Sequence, residues 1–216
     1  MSVAVIYCQV FEREIAALAE RFPQVTHRQC LDWGLHIHPD RLAERIAEAV
    51  RAIEDRVDAA VLGYGRCQAM DKLPADFAVP VFHAQAEDCI GVLLGPEGYR
   101  REMEREVGTF YLSPGWADMG IDGIFTQFDC DPQRVSSAEA LQTARLMLAN
   151  YRRLLFIDMP VVDAPERARL LDVARGIAAD LDLRLDRTRG SLALLTEAFE
   201  AAVAAVCRSH SLRPAV

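Results

Sequence analysis

Short apolar runs alternate with helix-patterned segments along most of this chain, and that alternation constrains the fold more than any other feature. The first run is Val3-Ala4-Val5-Ile6-Tyr7-Cys8. It is too short for a buried helix and reads as a buried strand. A helical segment over residues 12–22 follows and stops at Pro23. Residues 25–30 predict a second strand. Pro39 suits the first turn of a helix, where its missing N–H costs nothing. Leu42, Ile46, Val50 and Ile53 then recur at helical spacing to about Arg56. Further strands are expected at 59–62, 79–83, 108–112, 154–157 and 183–185. Further helices are expected from Cys89 with Asp88 as cap, from Pro96 to Arg105, at 136–150 with Ser137 as cap, at 166–181 and at 191–207. Residues 116–132 show no regular pattern, and the tail at 209–216 reads as frayed. Strands alternating with helices predict an α/β, Rossmann-like fold with a largely parallel sheet flanked by helices. The expectation is one domain over residues 1–216, with room for two βα halves meeting near residues 110–135.

The chain has 216 residues, is 51% hydrophobic and 26% charged, and so is neither disordered nor fibrous. Its net charge of -8 and lack of a basic stripe argue against nucleic-acid binding. No apolar run reaches the roughly 18 residues of a membrane span, so no membrane partner is expected. The start lacks a basic segment and a cleavage site, which predicts a cytoplasmic protein with reduced thiols. Its six cysteines are then core residues, metal ligands or reactive thiols rather than a disulfide framework.

Ligands of open α/β sheets bind at the carboxyl ends of the strands. Cys8 ends the first strand. Cys67 lies in the loop Gly63-Tyr64-Gly65-Arg66-Cys67-Gln68, where glycines let backbone approach a ligand. Cys89 opens a helix, whose free N–H groups stabilise a thiolate. Cys130 sits in an irregular segment. His36, His38 and His83 are further metal candidates, since zinc accepts imidazole and thiolate alike. No pair of cysteines shows the two-residue gap of a zinc ribbon, so the metal signal rests on placement. The alternative for each cysteine alone is a small buried hydrophobe, the expectation for Cys30 and Cys207. A Cys–His hydrolase using Cys67 or Cys89 is another alternative. Tyr64, Gly65, Arg66, Tyr111, Ser113 and Trp116 are candidates to line a small-molecule pocket, though Tyr111, Ser113 and Trp116 suit a lid on the core as well. There is no third glycine for a dinucleotide fingerprint and no P-loop.

The segments Leu35-His36-Ile37-His38-Pro39-Asp40-Arg41-Leu42, Gly63-Tyr64-Gly65-Arg66-Cys67, Asp71 to Leu73, Asp88-Cys89-Ile90-Gly91-Val92-Leu93-Leu94-Gly95, Gly108-Thr109-Phe110-Tyr111-Leu112-Ser113-Pro114-Gly115-Trp116 and Tyr151-Arg152-Arg153 together resemble the DUF1638 family of bacterial and archaeal proteins. The resemblance covers nearly the whole chain. That family's cysteine loop usually has glycine after the cysteine, where this chain has Gln68. The resemblance implies functional roles for Cys67 and Cys89, with Cys8 and His36, and less closely Cys130. It also implies a link to corrinoid-dependent methyl metabolism. The combined expectation is a site with Cys8, Cys67, Cys89, Cys130 and His36 as metal ligands. Zinc is the favoured metal, with an iron–sulfur cluster or a corrinoid as alternatives. The chemistry implied is group or methyl transfer on a small-molecule substrate. A second copy of the chain or a corrinoid protein is the partner such chemistry would use.

Overall fold

The computed structural model of the protein describes residues 1–130 and 134–211. Residues 131–133 of the patternless segment and 212–216 of the tail lie outside the described residues. In chain order the elements begin β1 (Val3–Cys8), α1 (Glu12–Arg21), β2 (Val25–Leu31), α2 (Pro39–Arg51), β3 (Ala59–Gly63), β4 (Val81–His83) and α3 (Cys89–Arg105). They continue β5 (Thr109–Leu112), α4 (Pro114–Asp118), α5 (Gly120–Gln127), α6 (Ser137–Met147), β6 (Arg153–Asp158), α7 (Ala164–Asp180), β7 (Arg184–Arg189) and α8 (Ala193–Ser211). The fold is α/β and Rossmann-like, with two parallel sheets flanked by helices. Two compact units result, one of Met1–Gly95 with Leu192–Val216 and one of Pro96–Ser191.

In the first unit the strand order is β2-β1-β3-β4, every pairing parallel. All residues of β1 and β3 are buried. Central strands of a parallel sheet are covered on both faces, which is why they read as unbroken apolar runs. Each fully buried Val, Leu or Ile there contributes about 1.5–3 kcal/mol. At the edge, β2 alternates, with Thr26, Arg28 and Cys30 exposed. Pro39 stands in the first turn of α2, which buries Leu42, Ile46 and Val50 and ends at Arg51, earlier than its apolar spacing predicts. α8 packs against β3, β4 and β1, burying Leu195, Phe199, Ala202 and Val206.

As the sequence predicts, the Asp88 carboxylate caps α3, accepting from the Gly91 N–H at 2.7 Å. Gly95, at φ 69°, interrupts that helix just before Pro96. Only glycine takes this left-handed conformation without strain.

In the second unit the order is β5-β6-β7, again parallel. Its central strand β6 opens on Arg153, which has no exposed surface. The Arg153 guanidinium donates to Thr109 Oγ1 at 2.8 Å and to the Glu102 carbonyl at 2.9 Å, and pairs with the Glu102 carboxylate at 2.9 Å. Three expectations need correction here. The patternless stretch from residue 116 holds most of α4 and all of α5. Gly115, Gly120 and Gly123 dilute the helical signal, and Gly120 at φ 60° separates the two helices. The cap of α6 is Ser136 rather than Ser137, because Glu139, three residues on, completes a reciprocal capping box with it. β7 runs on to Arg189, an edge strand held to β6 by backbone pairing rather than by apolar side chains. No helix of the described residues is long and apolar enough to cross a membrane.

Candidate thiol site

The strand order of the first unit reverses at β1. The chain passes from β1 to β2 on one side, then crosses to β3 on the other. Such a reversal opens a crevice outside the carboxyl ends of the two central strands. Cys8 is the last residue of β1, and the segment from Tyr64 to Cys67 directly follows β3. The chain leaving β4 reaches the same edge and leads into Cys89, the first residue of α3.

Close backbone contacts hold these segments together. The Arg66 N–H donates to the Ala86 carbonyl at 2.7 Å, and the Cys67 N–H to the Gly65 carbonyl at 2.8 Å. A Cβ on Gly65 would lie 2.1 Å from the Asp88 carbonyl carbon and 2.7 Å from the Cys89 nitrogen. Gly65 therefore lies directly on the Asp88–Cys89 peptide, an approach no other residue permits. Gly63 is as tightly placed, since its Cβ would lie 2.6 Å from the Tyr7 Cβ.

Between these glycines Tyr64 is only 2% exposed. Its hydroxyl has no hydrogen-bond partner among the described residues. A buried, unsatisfied polar group of this kind costs about 1–3 kcal/mol. Tyr64 lies within electrostatic reach of Cys8, Cys89, Cys30 and Cys67. Cys8 is buried and Cys67 and Cys89 are half-buried.

Burial pushes the Cys8 thiol up to about 11, against a lowering hydrogen bond from the Val10 backbone, and Cys67 raises it further. Burial likewise pushes the Cys89 thiol up to about 12, against a hydrogen bond from the Gly65 backbone. Cys8, Cys67 and Asp88 add to that rise. Both thiols thus keep their protons at neutral pH. Burial and the neighbouring cysteines raise Tyr64 far above the ordinary tyrosine range, so it keeps its proton.

The other sequence-predicted residues are spread over elements of both units. Arg66 is exposed and pairs with Asp71 at 3.1 Å. His36 lies on a short 3-10 helix (Trp33–Ile37) beyond β2 and is exposed. His83 ends β4 and lines a cleft of about 490 Å3 whose other walls include Leu62, Met70, Leu73 and Phe77. Cys130, Tyr111, Ser113 and Trp116 belong to the second unit. There Cys130 is buried, its thiol 3.7 Å from the Phe128 carbonyl. Tyr111 stacks edge-on against Tyr99 at 5.8 Å, and the Ser113 hydroxyl caps α4 by accepting from the Trp116 N–H.

Two features escape a reading of the sequence. One is the unsatisfied Tyr64 hydroxyl, which depends on contacts between residues far apart in the chain. The other is Cys30, expected as a structural core residue but exposed on edge strand β2. Its neighbour Tyr7 donates to Glu12 Oε2 at 2.7 Å, and burial followed by the Glu12 charge raises the Cys30 thiol.

Among the described residues no group of three or more His, Cys, Asp or Glu side chains is arranged to hold a metal ion. The donor chemistry of Cys8, Cys67 and Cys89 still suits a soft cation, because thiolates bind zinc with a fourth position left open. Binding would need these thiols to lose their protons and turn toward a common point.

A family model described as a protein of unknown function (DUF1638) matches residues 30–199. The chain belongs to the DUF1638 family. A comparison with curated proteins finds no match. The DUF1638 match takes in Tyr64, Cys67, Cys89 and Cys130 and begins beyond Cys8.

Proposed function

We propose that the first unit of this DUF1638 protein is a cytoplasmic metal-thiolate module that binds a small molecule for group transfer, methyl transfer being the favoured chemistry. One observation carries the reading. Cys8, Cys67 and Cys89 come from three separate segments to the carboxyl edge of the sheet where the strand order reverses, within electrostatic reach of a buried hydroxyl that has no partner among the described residues. Cys8, Cys67 and Cys89 would hold the metal, zinc by preference. When bound, zinc lowers the pKa of a coordinated thiol and keeps it anionic at neutral pH. The chain's own part is to orient and desolvate. Gly65 fixes Cys89 against the loop, and burial excludes water from Cys8. A metal-free nucleophile at Cys8 or Cys89 is disfavoured because burial raises both thiols.

The test is metal content and a visible spectrum on protein purified without oxygen. Near-stoichiometric zinc without colour, lost in both Cys67→Ser and Cys89→Ser, supports the reading. Iron or corrinoid colour would replace zinc with a redox or carrier role. Intact thiols that take up no metal even on reconstitution would end it.

A further inference from the structure

We propose that the Tyr64 hydroxyl donates a hydrogen bond to a neutral oxygen acceptor, a carbonyl above all, on the small molecule that occupies the thiol site, so that Tyr64 selects the ligand. This deepens the preceding reading and rests on it in one respect, that the thiol crevice takes a small molecule.

The hydroxyl is buried, with no acceptor among the described residues. The Cys8, Cys89, Cys30 and Cys67 thiols lie within its electrostatic reach, and neutral thiols are weak acceptors. The partner must therefore arrive with the ligand. It must accept, because the phenol O–H is the donor that the fold leaves without a partner. It should carry no negative charge, since a buried charge without a counter-ion is costly. Arg66, the cation of the same loop, is exposed and already paired with Asp71, so it offers an anion little compensation.

The hydroxyl is also held in place. Gly63 packs on Tyr7 and Gly65 on the Asp88–Cys89 peptide, so the residue between them has little freedom to turn toward another partner. A fixed donor that the fold leaves unused discriminates strongly between ligands with and without its acceptor.

Two probe thiols test this. Methyl thioglycolate carries a carbonyl, and 1-butanethiol keeps the chain length without one. Dissociation constants are measured by NMR titration on the full chain, zinc-loaded and metal-free, for wild type and Tyr64→Phe. The expected result is a preference of about tenfold for methyl thioglycolate in wild type, lost in Tyr64→Phe through weaker binding of that probe alone. A preference that survives Tyr64→Phe, or none in wild type, overturns the proposal. So does millimolar binding of neither thiol in either form. Zinc uptake separates this from the preceding reading. If zinc is never bound but the Tyr64-dependent preference appears, the metal reading falls and the Tyr64 assignment stands. If zinc binds through the cysteines and no preference appears, the reverse holds. A thermal melt guards against misfolding, since Tyr64→Phe should melt no lower than wild type.

Discussion

Both units are built on a parallel sheet with buried central strands, yet those strands differ in the charge they carry. In the second unit each charge on the central strand β6 is answered within the fold. Arg153 at its start is held by Glu102 and Thr109, and Asp158 at its end by Arg167 at 2.6 Å and Arg187 at 2.9 Å. In the first unit the central strands carry no charge at all. Its carboxyl edge instead gathers thiols that stay protonated and a hydroxyl without a partner. The strand orders account for part of this. β5-β6-β7 winds in one direction, whereas β2-β1-β3-β4 reverses and opens a crevice.

The largest effect expected from this contrast is at Arg153. Arg153→Met removes the buried partner of the Glu102 carboxylate, leaving only Arg101 and Arg105 at 4.0 Å, and should cost about 3–5 kcal/mol in urea unfolding. Adding Glu102→Gln should recover much of that loss. A single mutant within 1 kcal/mol of wild type would break the claim that Glu102 and Arg153 depend on each other for their burial. The glycines give a second contrast. Gly65→Ala should cost about 1–3 kcal/mol by overpacking and should alter the labelling rate of Cys89. Gly176→Ala, inside α7 with nothing within 4 Å of the added carbon, should instead stabilise by about 0.5–1 kcal/mol. Paired thermal melts check both signs.

The segments that sequence periodicity could reach are those whose signal is local. β1, β3 and β6 are apolar because both faces are covered, and Pro39, Asp88 and Gly95-Pro96 mark helix ends by their own backbone chemistry. α5 and β7 were harder to read for different reasons. The glycines in and around α5 weaken its pattern, and β7 (Arg-Leu-Asp-Arg-Thr-Arg) is an edge strand with little side-chain signature. The cysteines of the candidate site were visible as residues at strand ends. The contact of Gly65 with Asp88–Cys89 and the stranded Tyr64 hydroxyl were not, because each joins segments more than twenty residues apart or depends on what surrounds a buried group.

Two smaller effects sharpen the comparison further. Burial raises the Asp158 carboxyl, but its hydrogen bonds to Arg167 and Arg187 outweigh this and hold it below the ordinary aspartate value. A carboxyl depressed in the folded state stabilises above its unfolded pKa of about 4 and loses that contribution as pH falls through the folded value. Stability followed by urea unfolding from pH 7 to pH 3 should therefore decline, and Asp158→Asn should flatten that decline. No counterpart is expected from Tyr64→Phe, which should leave stability within about 0.5 kcal/mol of wild type or raise it slightly, since it removes a group that makes no bond. A clear loss of stability would mean that the hydroxyl is structural after all.

The first unit is stitched from two stretches of chain, Met1–Gly95 and Leu192–Val216, with the whole of the second unit threaded between them. On the ribosome this sets an order of events. Residues 96–191 form one contiguous stretch and can close on themselves as soon as they emerge. The face of β3 and β4 that α8 covers stays open until Leu195, Phe199 and Ala202 have been made. The segment that carries the thiols is thus among the first to be synthesised, while the sheet beneath it is among the last parts of the molecule to be sealed.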